Sequence, residues 1–241
     1  MSVYDPLELS KQTEKIVVNG RAKKYHRFRF TRFYGGSATA DSVGCNLRCI
    51  FCWSDRAVRL PNKVGRFYNP EDIVDKLVEL ADLNRCNIVR ISGAEPTIGR
   101  SHLLALLDLV ESYDKIFILE TNGILLGADR SYVEELSGYS RLHVRVSLKG
   151  CCEEEFRFLT RAKEGFSYQM RSLEYLRDYG VSFHPSVVST MGKEMYLIER
   201  LREIGIRESS IEWESLKLYP PVKERLKRLN LLDKLSGAFV D

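Results

Sequence analysis

The stretch CNLRCIFC at residues 45–52 carries the strongest functional signal in this chain. Its three cysteines, Cys45, Cys49 and Cys52, follow the spacing C-x3-C-x2-C, and the aromatic Phe51 stands directly before the third. Thiolates are soft ligands, so three of them on one loop can bind three irons of a [4Fe–4S] cluster. The usual number of protein ligands is four, which would leave one iron open to a non-protein ligand. A zinc loop and buried free cysteines are the alternatives, but a zinc site usually needs a fourth Cys or His at recognisable spacing.

The composition is that of an ordinary globular protein. The chain has 241 residues, of which 44% are hydrophobic and 29% charged, and this size fits one α/β domain. Six cysteines, three of them clustered, argue against a secreted disulfide framework and favour a reducing cytoplasm. The first residues lack the basic and apolar segments of a signal peptide. No apolar run approaches the roughly 18 residues of a membrane span. We therefore expect a cytoplasmic protein with no membrane segment.

The net charge of +4 is mild, but the basic residues are unevenly distributed. Residues 23–34 interleave cations with aromatic side chains. In a strand, Arg27 and Arg29 fall on one face, while Phe28 falls on the other. We interpret the segment as an amphipathic edge strand with a solvated face. A surface for nucleic acid or an anionic substrate is the alternative.

Strand-like and helix-like segments alternate along the rest of the chain. This alternation predicts a parallel sheet with right-handed crossovers, either as a barrel or as a doubly wound sheet. The predicted strands are 37–43, 87–92, 115–119, 143–148, 182–189 and a last one near 211–218. The predicted helices are 69–83, 101–112, 131–136, 168–179, 194–204 and 222–235.

Polar residues follow several of these strands directly. Ligands of parallel α/β folds bind at the carboxyl ends of the strands, so these residues are candidates for a binding site. Taken alone, Thr-Asn-Gly is a good turn sequence and Lys149 an ordinary surface lysine. The candidates are Gly93, Ala94 and Glu95 after the second strand, Thr121 and Asn122 after the third, and Ser147 and Lys149 at the end of the fourth.

The cysteine spacing resembles that of the radical S-adenosylmethionine (SAM) superfamily, in which the open iron binds the amino and carboxylate groups of SAM. The resemblance implies an α/β fold, a partial (β/α)6 barrel with a parallel sheet and outer helices, rather than a doubly wound sheet. It covers a core over about residues 37–219. A basic strand region at 20–36 and a C-terminal helix at 222–235 complete a single domain over residues 1–241.

The Gly-Ala-Glu-Pro turn after the second strand resembles the GGEP motif of that superfamily, with Ala94 in place of the second glycine. In the family this turn holds the methionine ammonium of SAM, a role the resemblance implies for Gly93, Ala94 and Glu95. An ionised carboxylate suits that role because it accepts charge-assisted hydrogen bonds. Phe51 corresponds to the family's aromatic residue beside the adenine, and a plain core phenylalanine is its alternative.

The next two strand ends resemble the D-T-N-G and D-x-K segments of glycyl-radical-enzyme activating enzymes, the group that includes the pyruvate formate-lyase activase. Here Glu120 and Ser147 stand in place of the aspartates. In that group these strand ends hold the carboxylate and ribose of SAM. The resemblance implies such contacts for Thr121, Asn122, Ser147 and Lys149.

The resemblance implies an enzyme that cleaves SAM reductively to a 5′-deoxyadenosyl radical, which then abstracts hydrogen from a substrate. It also implies a one-electron donor such as flavodoxin or ferredoxin. We expect a protein substrate, because a six-unit barrel stays open laterally. A radical SAM enzyme that modifies RNA or tRNA is the alternative, since the basic strand suits RNA and Phe51-Cys52-Trp53 is similar to the wyosine-pathway tRNA enzyme. A non-enzymatic iron–sulfur scaffold or electron carrier is the third hypothesis, and a fourth cysteine ligand would favour it.

Overall fold

A nine-stranded sheet runs through the computed structural model, which describes residues 3–235 and 239–240. Its strands are β1 (Val18–Asn19), β2 (Ala22–Thr31), β3 (Ser37–Ser42), β4 (Arg66–Tyr68), β5 (Ile88–Ser92), β6 (Ile116–Thr121), β7 (Leu142–Lys149), β8 (Ser182–Val188) and β9 (Glu212–Trp213). Two further strands, β10 (Leu216–Lys217) and β11 (Phe239–Val240), pair with each other in a separate sheet.

The strand order confirms the predicted architecture. The sheet runs β1-β2-β3-β5-β6-β7-β8-β9, with β4 paired to β2, and its members from β3 to β9 are parallel neighbours in chain order. A doubly wound sheet would reverse its strand order near the middle. Six parallel strands in sequence, with the two ends of the sheet unpaired to each other in the described part of the chain, form a partial (β/α)6 barrel.

Helices precede, connect and follow the parallel strands. They are α1 (Pro6–Val17), α2 (Asp55–Arg59), α3 (Pro70–Leu83), α4 (Arg100–Val110), α5 (Ile124–Ala128), α6 (Arg130–Leu136), α7 (Glu153–Thr160), α8 (Phe166–Asp178), α9 (Glu194–Glu203), α10 (Pro220–Arg228) and α11 (Leu232–Leu235). The start of α3 follows from local chemistry, because Pro70 occupies the first turn and the backbone N–H of Asn69 donates to Asp72 Oδ2 at 3.0 Å. Helices α1, α2, α5 and α7 were not predicted.

The two faces of the parallel sheet differ in chemistry. Its outer face is apolar and packs under the helices through buried residues such as Val89, Leu119 and Val144. The alternate positions point to the inner, concave face and carry charged or polar side chains, among them Arg90 and Glu120, whose Nη1 and Oε1 lie 2.9 Å apart. The barrel interior is therefore suited to a polar ligand.

Two predicted C-terminal elements are wrong in extent. The strand expected near 211–218 is two short strands in different sheets, β9 and β10. The helix expected at 222–235 is divided into α10 and α11, because Asn230 between them takes a left-handed φ of 54°. The single-domain assignment of residues 1–241 stays a prediction, and residues 1, 2, 236–238 and 241 lie outside the described part.

Strand β2 corrects the interpretation of the basic segment. Its predicted two faces are confirmed, since Arg27 and Arg29 lie opposite Asp41 and Thr39 on β3 while Phe28 packs against the apolar core. The arginine face is not simply solvated, however. Both guanidinium groups pair with Asp41, whose side chain has no exposed surface. The physical reason is that β3 places a buried carboxylate directly beside them.

Candidate cofactor site

The cysteine loop, residues 45–52, follows β3 at the carboxyl end of the parallel sheet. All three of its cysteines are free thiols; Cys49 is buried, and Cys45 and Cys52 are half-buried. The turn after β5 is joined to the start of this loop, because the backbone N–H of Glu95 donates to the carbonyl of Gly44 at 2.9 Å. Two of the predicted motifs thus meet in the folded chain.

Burial controls the protonation of the three thiols. It raises the pKa of Cys49 to about 12 and raises the pKa values of Cys45 and Cys52 as well. The carboxylate of Glu95 adds to the effect at Cys45, whereas the positive charge of Lys149 opposes it at Cys49 and Cys52. Iron would have to displace these protons, so we expect binding at this loop to release protons.

Two arginines hold the cysteine loop by its backbone carbonyls. Arg225 on α10 donates from Nη1 to the carbonyls of Ile50 at 2.8 Å and Cys52 at 3.0 Å. Arg59 on α2 donates from Nη2 to the carbonyl of Cys49 at 3.1 Å. Asp55 joins the two, since its Oδ1 accepts from Arg59 Nε at 2.9 Å and also from Arg225 Nη2. Two arginines that share one carboxylate therefore fix three carbonyls of the loop.

Unpartnered polar groups beside the loop fit an iron–sulfur cluster. Among residues 3–235 and 239–240, two buried side-chain polar atoms lack a hydrogen-bond partner, Asn46 Nδ2 and Ser54 Oγ. One follows Cys45 in the sequence, and the other comes two residues after Cys52. A buried donor without an acceptor costs free energy, and cluster sulfurs accept such hydrogen bonds. Three thiols flanked by two such groups therefore match a [4Fe–4S] cluster.

The donor set differs from a site for one ion. No three His, Cys, Asp or Glu side chains in the described ranges are gathered as the ligands of a single metal ion. The thiols of a cubane cluster instead bind different irons. Three thiols that each bind a different iron accord with the predicted cluster.

The turn after β5 requires glycine at its first position and tolerates alanine at its second. Gly93 has a φ of 96°, and a Cβ there would lie 3.0 Å from the Cβ of Asp41. Ala94 has no positive φ, so its methyl group adds no backbone strain. The replacement of the family's second glycine is thus compatible with the same turn.

Glu95 joins two strand ends. Its Oε1 accepts hydrogen bonds from the hydroxyls of Thr97 and Thr121, both at 2.6 Å, and from the N–H of Thr97 at 3.2 Å. Its Oε2 accepts from the backbone N–H of Asn122 at 2.8 Å. A carboxylate has about four acceptor positions, two on each oxygen. Oε2 therefore has an acceptor position left for a ligand. The hydroxyl of Thr121 donates to Glu95 instead of facing a ligand.

Asn122 connects these strand ends to the cysteine loop. Its Nδ2 donates to Asn46 Oδ1 at 2.7 Å and lies 3.8 Å from Cys45 Sγ. Asn46 carries one of the unpartnered buried atoms. This contact therefore places Asn122 directly beside the proposed cluster-binding loop. The sequence pattern predicted Asn122 but missed Asn46.

Gln169 on α8 is a further residue that the sequence pattern missed. Its Nε2 donates to the carbonyls of Asn122 at 2.6 Å and Ser147 at 3.0 Å, and its Oε1 accepts from the N–H of Lys149 at 3.1 Å. One fully buried amide therefore fixes the ends of β6 and β7 relative to each other. A polar residue within the apolar stripe of a helix is the signal that could have found it.

The remaining predicted residues also lie at this end of the sheet. Lys149 Nζ lies 5.8 Å from the centre of the Phe51 ring, close to the cysteine loop. The hydroxyl of Ser147 faces the inner surface and accepts from Arg145 Nη1 at 3.1 Å. The structure thus brings the cysteine loop together with the ends of β5, β6 and β7.

A buried lysine supports the turn after β5. Lys23 on β2 has no exposed surface, and its Nζ donates to the carbonyls of Glu95 at 3.1 Å, Pro96 at 2.7 Å and Ile98 at 2.5 Å. Burial lowers the pKa of Lys23 to about 7, although the carboxylate of Glu95 opposes this. The ammonium form has three donors for three carbonyls, so loss of its proton leaves one carbonyl without a partner.

We expect Lys23 to make stability depend on pH. Above pH 7 the folded protein holds Lys23 neutral, whereas the unfolded chain keeps the proton up to the ordinary value of 10.5. Stability from this residue therefore rises with pH across that window, by up to about 1.4 kcal/mol per pH unit. Urea unfolding at several pH values should show this slope in wild type but not in Lys23→Met. The exposed Lys15→Met variant is the control, and equal slopes in all three proteins would refute the assignment.

No helix within the described residues is both long and apolar enough to cross a membrane.

Sequence comparison places the chain among known proteins. Residues 40–204 match the profile of the radical SAM superfamily. GTP 3',8-cyclase of Pelotomaculum thermopropionicum is 32% identical over 120 residues, which are 48% of this chain and 35% of that protein. 7-Carboxy-7-deazaguanine synthase of Hyperthermus butylicus is 37% identical over 83 residues, which are 34% of this chain and 33% of that protein. The chain thus spans about a third of the length of these two curated relatives.

Solved structures show the same fold. Streptococcus suis SuiB bound to S-adenosylmethionine superposes with a TM-score of 0.57 at 19% identity, over 83% of this chain and 44% of SuiB. SuiB bound to its precursor peptide SuiA gives a TM-score of 0.55 at 23% identity, over 68% of this chain and 36% of SuiB. At these identities the similarity concerns the fold alone.

Proposed function

The chain belongs to the radical SAM superfamily, and from this membership we propose that it cleaves SAM reductively at the site built around the cysteine loop. As a member it is an enzyme whose cofactors are a [4Fe–4S] cluster and SAM. One observation supports the proposed site above all. Glu95 and Asn122, from two different strand ends, are hydrogen-bonded to each other, and Asn122 lies 3.8 Å from Cys45 Sγ.

The proposal assigns a role to each group of residues. Cys45, Cys49 and Cys52 would hold the cluster, with Asn46 and Ser54 as hydrogen-bond donors to its sulfurs. When bound, the reduced cluster supplies one electron for cleavage of a carbon–sulfur bond of SAM.

The strand ends would hold SAM itself. The backbone of Gly93 and Ala94 and the Oε2 of Glu95 suit its ammonium group, since a carboxylate accepts charge-assisted hydrogen bonds. Lys149 suits its carboxylate, while Asn122 and the Ser147 strand end suit its carboxylate and ribose. Phe51 offers its ring to the adenine. These assignments follow the predicted roles, with Thr121 acting through Glu95.

We expect Glu95→Gln to weaken SAM binding by about 2 kcal/mol, roughly thirtyfold, because the variant loses the charge that meets the ammonium. Wild-type protein reduced with dithionite should release 5′-deoxyadenosine from SAM, and the variant should need far more SAM to do so. Equilibrium dialysis with labelled SAM measures the affinity.

The control for that experiment is Glu79→Gln, which neutralises an exposed glutamate on α3. Circular dichroism must show that Glu95→Gln is folded, since Glu95 also accepts hydrogen bonds from Thr97 and Thr121. A folded Glu95→Gln protein with wild-type SAM affinity would remove Glu95 from the proposed ligands.

The partner predictions continue as proposals. A one-electron donor such as flavodoxin or ferredoxin and a cytoplasmic location suit a radical SAM enzyme. The expected protein substrate rests on the lateral opening of a six-unit barrel and on the activase-like strand ends at Thr121, Asn122 and Lys149. The proposal assigns Asn122 and Lys149 to SAM and Thr121 to the support of Glu95, so these residues do not select a polypeptide. The relatives do not identify the substrate of this chain either. The name GTP 3',8-cyclase refers to a nucleotide, whereas SuiB was solved with a peptide.

A further inference from the structure

An exposed tryptophan lies beside two arginines next to the cysteine loop. Trp53 directly follows Cys52, and 43% of it is exposed. The guanidinium carbons of Arg27 and Arg29 lie 5.6 Å and 5.9 Å from the centre of its ring. Both arginines belong to the inner face of the sheet, where they pair with Asp41. These four residues are called the Trp53 patch.

The Trp53 patch carries an excess positive charge. Asp41 Oδ2 accepts from Arg27 Nε at 2.6 Å and from Arg29 Nε at 2.8 Å, and its Oδ1 accepts from Arg29 Nη2 at 3.1 Å. Burial raises the pKa of Asp41, but the two guanidinium groups outweigh it and hold that pKa below its ordinary value. One carboxylate therefore faces two cations. The arginine side chains remain 44% and 26% exposed, so an anion can reach them.

The opposite side of the inner face has no such excess. There the guanidinium of Arg145 pairs with both Glu212, at 2.8 Å, and Glu214, at 3.1 Å, and the positive charge of Lys149 also acts on Glu214. Between the two sides lies the balanced pair of Arg90 and Glu120. An anionic group that enters the concave face is therefore drawn toward the Trp53 patch.

An aromatic ring beside exposed guanidinium groups suits one class of ligand. A nucleobase stacks on a tryptophan ring regardless of its sequence, and arginine binds phosphate through two parallel hydrogen bonds. A nucleoside phosphate supplies both an aromatic face and an anion at close range. An unmodified peptide segment has no constant group that combines the two.

We propose that the Trp53 patch binds a nucleoside phosphate unit of the substrate, with its base stacked on Trp53 and its phosphate on Arg27 and Arg29. The proposal rests on the proposed function, because it places this unit beside the cysteine loop and the SAM site. It favours the nucleotide or RNA substrate over the polypeptide. The same chemistry is offered by a free nucleotide and by a nucleotide within RNA.

Binding of GTP and of bulk tRNA to the anaerobic, cluster-loaded enzyme tests the proposal. Equilibrium dialysis measures labelled GTP, and filter binding measures labelled tRNA. We expect saturable binding of at least one probe, weakened about tenfold or more by Trp53→Ala and largely restored by Trp53→Phe. Trp213→Ala is the matched control, since Trp213 is 41% exposed on β9.

Arginine variants test the phosphate contact. Arg29 Nε and Nη2 donate to Asp41, which leaves the edge formed by Nη1 and Nη2 for a phosphate. Arg29→Lys keeps a cation beside Asp41 but loses that edge, so we expect about tenfold weaker binding from a protein that still folds. Arg29→Gln should also flatten the dependence of tRNA affinity on salt. The exposed Arg66→Gln variant on β4 is the control.

Saturable binding of either GTP or tRNA supports the proposal. The probe that binds shows whether the nucleotide is free or part of RNA. Saturable binding of neither probe would overturn it, as would affinities that Trp53→Ala and Arg29→Lys leave unchanged. Release of 5′-deoxyadenosine by wild-type enzyme without any nucleotide tests the proposed function separately, so failure of one can be told from failure of the other.

Discussion

Replacing any one of Cys45, Cys49 and Cys52 by serine is expected to abolish both the iron–sulfur cluster and the release of 5′-deoxyadenosine. The physical reason is that this loop offers only three thiolates and one iron must stay open for SAM, so no spare ligand remains. Anaerobically reconstituted wild type should contain about four irons and four sulfides per chain. Iron and sulfide analysis with visible absorption spectra measures the difference.

The matched control is Cys86→Ser. Cys86 is a half-buried free thiol that precedes β5, at the opposite end of the strand from the Gly-Ala-Glu-Pro turn. Its removal should leave the iron content at the wild-type value. Purified wild type that holds tetrahedral zinc and no sulfide would contradict the cluster assignment outright.

The second large effect is expected from Arg225→Met, which should lower the free energy of unfolding by about 3 kcal/mol. The substitution removes the donors to the carbonyls of Ile50 and Cys52 and one of the two cations on Asp55. Asp55 keeps Arg59 and is 31% exposed, which places the cost at the lower end for a broken buried pair. Urea unfolding measures the change.

Arg225→Met should also release iron faster to a chelator, because the carbonyls that fix the cysteine loop lose their donor. Arg228→Met, on the exposed side of the same helix, is the control. It should change the free energy of unfolding by no more than about 0.5 kcal/mol, and the rate of iron release by no more than the corresponding factor of about two. Wild-type iron release from a folded Arg225→Met protein would show that α10 does not hold the loop.

Local patterns accounted for most of the fold. The parallel strands from β3 to β8 and helix α3 were predictable because their signals are local. Apolar residues run through β6 and alternate with polar ones along β7, while Asn69 and Pro70 mark the start of α3. The C-terminal part was harder. Strand β9 has two residues, both exposed, and its register is set by pairing with Ser186 and Val187 on β8, which no local pattern specifies.

The residues of the candidate site likewise fall into those that local sequence identifies and those that only tertiary contacts reveal. The cysteines lie within eight residues of one another, and the other candidates lie at or just after the ends of β5, β6 and β7, so the sequence identified them. Arg225, Gln169 and Lys23 act across long separations, 175 residues from Arg225 to Ile50 and 72 from Lys23 to Glu95. Their importance depends on tertiary contacts with backbone carbonyls, and any residue type can supply a carbonyl.

The contact between α10 and the cysteine loop has a consequence for biogenesis. During synthesis the three thiols emerge long before Arg225, which is 173 residues beyond Cys52. Until α10 is made, the nascent chain has its metal-binding thiols but not the clamp over them, and Ile50 lacks its buried packing against Val222 and Leu226. The cysteine loop can therefore reach its fixed conformation only after the last fifth of the chain has been made and α10 has packed against it.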